Sequence, residues 1–326
     1  MSPQPVSISV IICTHNPLEE YLQRVLDALK IQTLSKEQWE LLVIDNASQK
    51  PLAGKWDLSW HPSARHICEN QLGLTPARLR GIAESIGELL VFVDDDNVIS
   101  SSYLELTKKL AEKHPNLGCF GSGAIEPEFE QKPQTEYMPF IGYLAIRTVG
   151  RSLWGNSLTQ APWGSGLVVR RAVALHYKLV TATNAMRLML DRKGQDLMSG
   201  GDDEFSHIAH ALGFGSGIFI ELQITHLIAK HRVVGKYFER MLFCNGRSSA
   251  CLAILHNESP ENPFAVPRLA NILKMFVGGH ILRSIAQTAN YLAFFKKNRT
   301  ERKLLIARYN GWENGIKSFS PPKSNH

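Results

Sequence analysis

Glu88-Leu89-Leu90-Val91-Phe92-Val93-Asp94-Asp95-Asp96-Asn97 is the stretch from which the fold can be read. Five apolar residues run together and stop at three consecutive carboxylates. An uninterrupted apolar run this short predicts a strand buried on both faces, as at the centre of a parallel sheet. The three acids then lie where that strand leaves the sheet, the carboxyl edge at which open α/β sheets bind ligands. Adjacent carboxylates repel one another, so concentrating them there calls for a compensating cation. A hard divalent ion with oxygen ligands, Mn²⁺ or Mg²⁺, suits them. The plainer alternative is a solvated acidic turn capping the next helix, with Ser100, Ser101 and Ser102 close behind.

Working outward, Val6 to Cys13 is strongly β-branched and predicts a first strand, stopped by the polar turn Thr14-His15-Asn16-Pro17. Leu22, Val25, Leu26 and Leu29 then recur at helical spacing between Leu18 and Gln32. Leu41 to Ile44 predicts a second buried strand ending at Asp45-Asn46-Ala47-Ser48. Two such strands joined by a helix form a βαβ unit, which builds parallel sheets. Arg65 to Cys68 reads as a short strand, and Thr75 with Pro76 predicts the cap and first residue of a helix running to Ile86. Tyr103 to Lys113 predicts a helix, Gly118 to Ile125 a strand, and residues 126–160 irregular chain. Trp163-Gly164-Ser165-Gly166 leads into another apolar strand, and Gly200 to Phe205 opens a helix whose first turn holds Asp202, Asp203 and Glu204. Acids there suit the helix dipole, so plain capping competes with a chemical role. Gly215 to Ile224 predicts a further strand running into Thr225 and His226, and the pattern from Val233 onward is helical, with a break at Pro260 to Pro267.

The 326 residues suit one large α/β domain with an appendage, over residues 1–230 and 231–326 respectively. The net charge of +6 is concentrated after Pro267, where eleven Lys and Arg face only Glu301 and Glu313. Such a tail can meet nucleic acid, anionic lipid or a phosphorylated substrate. No nucleic-acid-binding motif accompanies the charge, so a nucleic-acid partner is not expected. Five scattered cysteines without a CxxC pair point to reduced thiols in a cytoplasmic protein, and to neither a zinc site nor a disulfide framework. A signal segment and a spanning helix are both unexpected, since the apolar run from Ile272 to Phe295 is repeatedly interrupted by polar residues. The first βα turn lacks GxGxxG, which argues against a dinucleotide-binding domain.

Four segments, taken in order, resemble the GT-A glycosyltransferases and specifically their large inverting family two: Val6–Pro17, Leu41–Ser48, Leu89–Asn97 and Gly200–Phe205. The resemblance covers about residues 5–230. It implies a Rossmann-like, mostly parallel sheet flanked by helices, followed by a helical C-terminal region. The implied activity is transfer of a sugar from a nucleoside-diphosphate donor, UDP-linked, to the hydroxyl of a glycan or lipid-linked acceptor in bacterial surface glycan synthesis. Thr14 and Asn16 match the turn that touches the nucleotide, and Asp45 the acid that bonds the uracil base. Arg78 matches a position near the pyrophosphate or base. Asp94 and Asp96 match the outer acids of the family's strand-end triplet, the first facing the ribose and the second holding the metal, with Asp95 between them counted among the nucleotide-sugar contacts. Trp163 and Gly164 look like the acceptor-side loop bordering the sugar. The catalytic base matches Asp202 or Asp203, with Asp202 slightly favoured, and His226 resembles a third metal ligand.

Such a reaction needs stabilisation of the leaving diphosphate and a carboxylate base on the opposite face of the sugar; it needs no enzyme nucleophile. A nucleotidyltransferase would carry a glycine-rich phosphate loop after strand one, where Cys13-Thr14-His15-Asn16-Pro17 stands instead. A non-catalytic glycan-binding relative would have lost the strand-end or helix-head acids. The C-terminal region has two readings: an amphipathic, basic surface lying on the inner face of a membrane, or helices packed on the sheet or on a second subunit.

Overall fold

The computed structural model describes residues 6–258 and 296–320. The apolar run 272–295 and the break at 260–267 lie outside the described residues. Among the described residues ten strands form one sheet: β1 (Ile8–Thr14), β2 (Trp39–Asn46), β3 (Ala64–Glu69), β4 (Leu89–Asp94), β5 (Asn97–Ile99), β6 (Leu117–Phe129), β7 (Arg147–Thr148), β8 (Leu153–Gly155), β9 (Leu167–Arg170) and β10 (Gly215–Ile228). The described α-helices are α1 (Glu19–Lys30), α2 (Leu74–Glu84), α3 (Tyr103–Lys113), α4 (Arg171–Ala182), α5 (Ala185–Leu188), α6 (Gly201–Ala211), α7 (Gly235–Leu255) and α8 (Arg299–Phe319). The strand order is β3-β2-β1-β4-β9-β6-β10-β5, with β7 beside β6 and β8 beside β10.

Strands β3, β2, β1 and β4 are parallel, as the βαβ reading requires. Strand β9 runs antiparallel to both β4 and β6. Alternate residues of the central strands feed two cores. Ile8, Val10 and Ile12 of β1, with Leu89, Val91 and Val93 of β4, pack under α1 and α3 through Leu22, Leu26, Tyr103 and Leu104. Ile11, Leu90 and Phe92 face the other way, onto Ile82 of α2, Tyr177 of α4 and Phe205 of α6. The quoted run is therefore buried on both faces, with Leu90 and Val91 fully enclosed.

Two expectations change. Thr75 lies inside α2 rather than at its cap; Gly73, at φ 139°, caps that helix, and Thr75 Oγ1 donates to Leu190 O at 2.8 Å. Residues 126–160 are not irregular throughout: β6 continues to Phe129, a 3₁₀ stretch covers Thr135–Leu144, and two short strands follow.

The chain divides into two compact units, residues 1–130 with 144–229, and residues 131–143 with 230–326. The second is built on α7 and α8, which approach so closely that a Cβ at Gly246 would overlap Arg308 O and one at Gly311 would overlap Phe243 O. Small residues at those points let the two backbones meet. Among the described residues, no helix is long and apolar enough to cross a membrane.

Candidate active site

The carboxyl ends of the parallel strands set the first wall of the site. In register, Thr14 of β1 lies opposite Asp45 of β2, and Cys13 opposite Asp94 of β4. Thr14 Oγ1 donates a short hydrogen bond to Asp95. Asp45 is buried; its Oδ1 accepts from Ser48 N at 3.2 Å and its Oδ2 from Leu52 N at 3.0 Å, which shapes the turn leaving β2. Asn16, at φ 49°, donates its N–H to Ser48 Oγ at 3.0 Å and accepts from Gln49 N at 2.9 Å. The two strand-exit turns are thus tied to each other. Cys13 is no nucleophile at neutral pH, because burial pushes its thiol up to about 12.

The acids after β4 do not cap a helix, since β5 intervenes before α3 begins. Asp94 is raised to about 7, first by burial and then by Asp96, with Arg78 and His226 pulling the other way. Strand β5 pairs antiparallel with β10 and sets Asn97 opposite His226. That pairing brings the buried His226 Nε2 to 3.4 Å from Asp96 Oδ2, across 130 residues of sequence. Among the described residues, no group of three His, Cys, Asp or Glu forms a metal cage. Asp96 and His226 nonetheless offer one carboxylate oxygen and one imidazole nitrogen, a donor pair whose chemistry fits a divalent ion such as Mn²⁺ or Mg²⁺.

The second wall comes from the first turn of α6. Asp202 Oδ2 accepts from Gly164 N at 2.8 Å, which ties the Trp163-Gly164 loop to the helix. Glu204 is fully buried and paired with Arg187 at 2.7 Å. Asp203, half-buried, accepts no hydrogen bond among the described residues, so its lone pairs are unspent. Burial raises both aspartates; Asp191 adds to the rise at Asp202, while Asp202 and then Asp191 carry Asp203 up to about 8. All three acids lie in the first turn of α6, where they suit the helix dipole as the capping alternative requires, so that role stands beside a chemical one; the N-cap itself is Gly200 at φ 111°.

Arg78 lies between the walls. It is buried, its Nη1 donates to Asp191 Oδ2 at 2.7 Å, and its guanidinium lies 5.8 Å from the Phe92 ring centre. Burial opposes its charge, but the carboxylates of Asp191, Asp202 and Asp94 outweigh that and favour the cation. Asp94 and Asp202 therefore act on one guanidinium from the strand side and the helix side. Arg147 closes the outer rim: its guanidinium carbon stands 3.6 Å from the Trp163 ring centre and feels both Asp202 and Asp203.

Three residues in this arrangement are not expected from the sequence: Asp191, Arg147 and Arg187. None belongs to a periodic run or a motif, and each acquires its partners only through tertiary contact.

Residues 9–177 match the family model described as Glycosyl transferase family 2. A 101-residue stretch is 36% identical to "Glycosyltransferase AglE" of Haloferax volcanii, covering 30% of this chain and 33% of that protein. "Uncharacterized glycosyltransferase YwdF" of Bacillus subtilis is 26% identical over 132 residues, 40% of this chain and 47% of that one. The chain thus matches a third to a half of the length of these curated relatives. Among solved structures, S. aureus TarS 1-349 is 14% identical with a TM-score of 0.49, over 96% of this chain and 92% of that chain. The same protein in complex with UDP-GlcNAc gives 14% and 0.47, over 97% and 93%.

Proposed function

Because the chain belongs to glycosyl transferase family 2, we propose that it moves a sugar from a nucleoside diphosphate, UDP by its strand-end residues, to an acceptor hydroxyl with inversion. The observation that carries this reading is the buried Arg78 guanidinium, bonded to Asp191 and attracted by Asp202 from the helix side and Asp94 from the strand side. Strand-end acids and helix-head acids thus serve one site. In this reading Thr14, Asn16 and Asp45 line the nucleotide side, Asp94 the ribose side with Asp95 beside it, and Trp163 with Gly164 the side from which the acceptor arrives.

Asp203 is the better candidate for the base, since Asp202 already holds Gly164 N, whereas Asp203 accepts no hydrogen bond among the described residues. In the transfer, Asp203 takes the proton of the acceptor hydroxyl as that oxygen attacks the anomeric carbon. The bond from that carbon to the diphosphate oxygen breaks on the opposite face, and its electron pair leaves with the nucleotide. A carboxylate whose proton affinity is raised towards neutrality is a stronger base than an ordinary one. Asp96 and His226 would hold Mn²⁺ or Mg²⁺, which when bound supplies Lewis-acid stabilisation of the growing diphosphate charge. The same reading makes residues 1–230 the catalytic part, takes a glycan or lipid-linked acceptor in surface glycan synthesis, and leaves the basic region 231–326 as the part that contacts the inner membrane face.

A screen of nucleotide sugars for metal-dependent hydrolysis and thermal stabilisation tests this. One UDP-sugar should be hydrolysed with Mn²⁺ present, and Asp96→Ala should remove the metal response. Stabilisation by no nucleotide sugar, or an Asp96→Ala protein that keeps its full Mn²⁺ response, would refute it.

A further inference from the structure

Asp191 sits where two helices begin. Leu74, the first residue of α2, donates its N–H to Arg192 O at 2.8 Å, and Thr75 Oγ1 donates to Leu190 O at 2.8 Å. The turn 190–192 is thereby strapped across the head of α2. Asp191 itself is at φ 71°, a left-handed conformation that Asp tolerates better than most residues. Its Oδ1 accepts from Gly201 N at 3.0 Å, at the head of α6, and its Oδ2 from Arg78 Nη1 at 2.7 Å. The fit allows no side chain at 201, where a Cβ would overlap the Asp191 carboxylate.

Resting on the reading of Asp202 and Asp203 above, we propose that Asp191 is a positioning residue for the transfer. Its carboxylate locks the Arg78 guanidinium to the first turn of α6 and so fixes both aspartates against the strand-end acids. The carboxylate serves the positive end of α6 and one buried cation, while the carbonyls of Leu190 and Arg192 on either side of it hold the head of α2. It also sets the charge around the base. From the loop before α6, Asp191 favours the protonated form of Asp202 and Asp203; from α6 itself, Glu204 does so for Asp203. Arg78 of α2 opposes this at Asp202, and Arg147 of β7 opposes it at Asp203. Tyr177 of α4 faces Asp191 and Arg78. Removing the Asp191 charge tips this balance towards the cations, which makes a weaker base that deprotonates at lower pH.

The test is the pH profile of kcat/KM for Asp191→Asn, which keeps the acceptor for Gly201 N, below its unfolding onset. Wild-type turnover is established first, so failure of the glycosyltransferase reading shows as an inactive wild type. Expected are a 10-fold or greater fall in kcat with little change in KM for the donor, and an acid limb moved down by roughly one pH unit. A merely structural role lowers the active fraction and leaves the limb in place. Gly201→Ala displaces the carboxylate without altering any charge and decides the matter if Asp191→Asn does not fold; it should also lower kcat and move the limb. Wild-type kcat and an unmoved limb in the folded variant would overturn the proposal.

Discussion

The Arg78–Asp191 pair offers a stability measurement that needs no substrate. Its side chains are 4% and 5% exposed and 2.7 Å apart, so neither charge has water to fall back on. Arg78→Met leaves Asp191 with Gly201 N and Thr75 Oγ1 but no counter-charge, and Asp191→Asn leaves a buried guanidinium facing a neutral amide. Stripping one partner from such a pair costs about 3–5 kcal/mol, whereas removing both charges together costs far less. At about 2–4 °C per kcal/mol for a unit of this size, each single variant should melt roughly 10 °C below wild type. The double variant should recover about 2–3 kcal/mol of the summed loss, an interaction energy expected of residues in contact. Urea unfolding followed by tryptophan fluorescence, run on all four proteins, closes the cycle. Additive losses, or single losses under about 1 kcal/mol, would mean that the two charges are held by solvent and not by each other.

Asp203→Asn should lower sugar transfer about 10²–10⁴-fold while leaving donor affinity in calorimetry near wild type; Asp202→Asn should keep more turnover, and the reverse ranking would assign the base to Asp202. The pH dependence of stability has a definite sign. Asp203 is raised from 3.8 to about 8, so the folded state holds a proton that the unfolded state has released, and this contribution shrinks as pH rises from about 4 to 8. Melting curves should show wild type losing stability relative to Asp203→Asn across that window, and parallel curves would contradict the raised affinity. Gly311→Ala should destabilise the α7–α8 unit by about 1–3 kcal/mol in urea unfolding, because the new methyl meets Phe243 O; an unchanged midpoint would refute the close approach.

The strands and their exits were legible because their signal is local. Leu89 to Val93 reads as a doubly buried strand from its composition, and β4 spans Leu89–Asp94. The helix expected from Tyr103 to Lys113 is α3 without adjustment. At the head of α2 the local signal misled. Thr75 before Pro76 has the chemistry of a cap, but Asn46 Oδ1 takes the Gly73 N–H at 2.8 Å and fixes the helix start two residues earlier. Asp191 could not be read at all. It stands between Leu190 and Arg192 in no pattern, and its partner Arg78 is 113 residues away. Polar residues whose role is to hold other polar residues leave no periodic trace, since only contacts made at long range give them a purpose.

Strand β9 joins the parallel half of the sheet to the rest, bonded to β4 on one edge and β6 on the other. During translation, β1 to β4 emerge well before it, and N-terminal segments tend to condense first. The outer edge of β4 therefore waits uncovered until residue 170 has left the ribosome, with Leu90 to Phe92 offering unpaired amides and carbonyls beside an apolar face. A polypeptide stalled in that interval owns the acidic rim but lacks the helix bearing its partner aspartates. It would be both inert and prone to stick to its siblings.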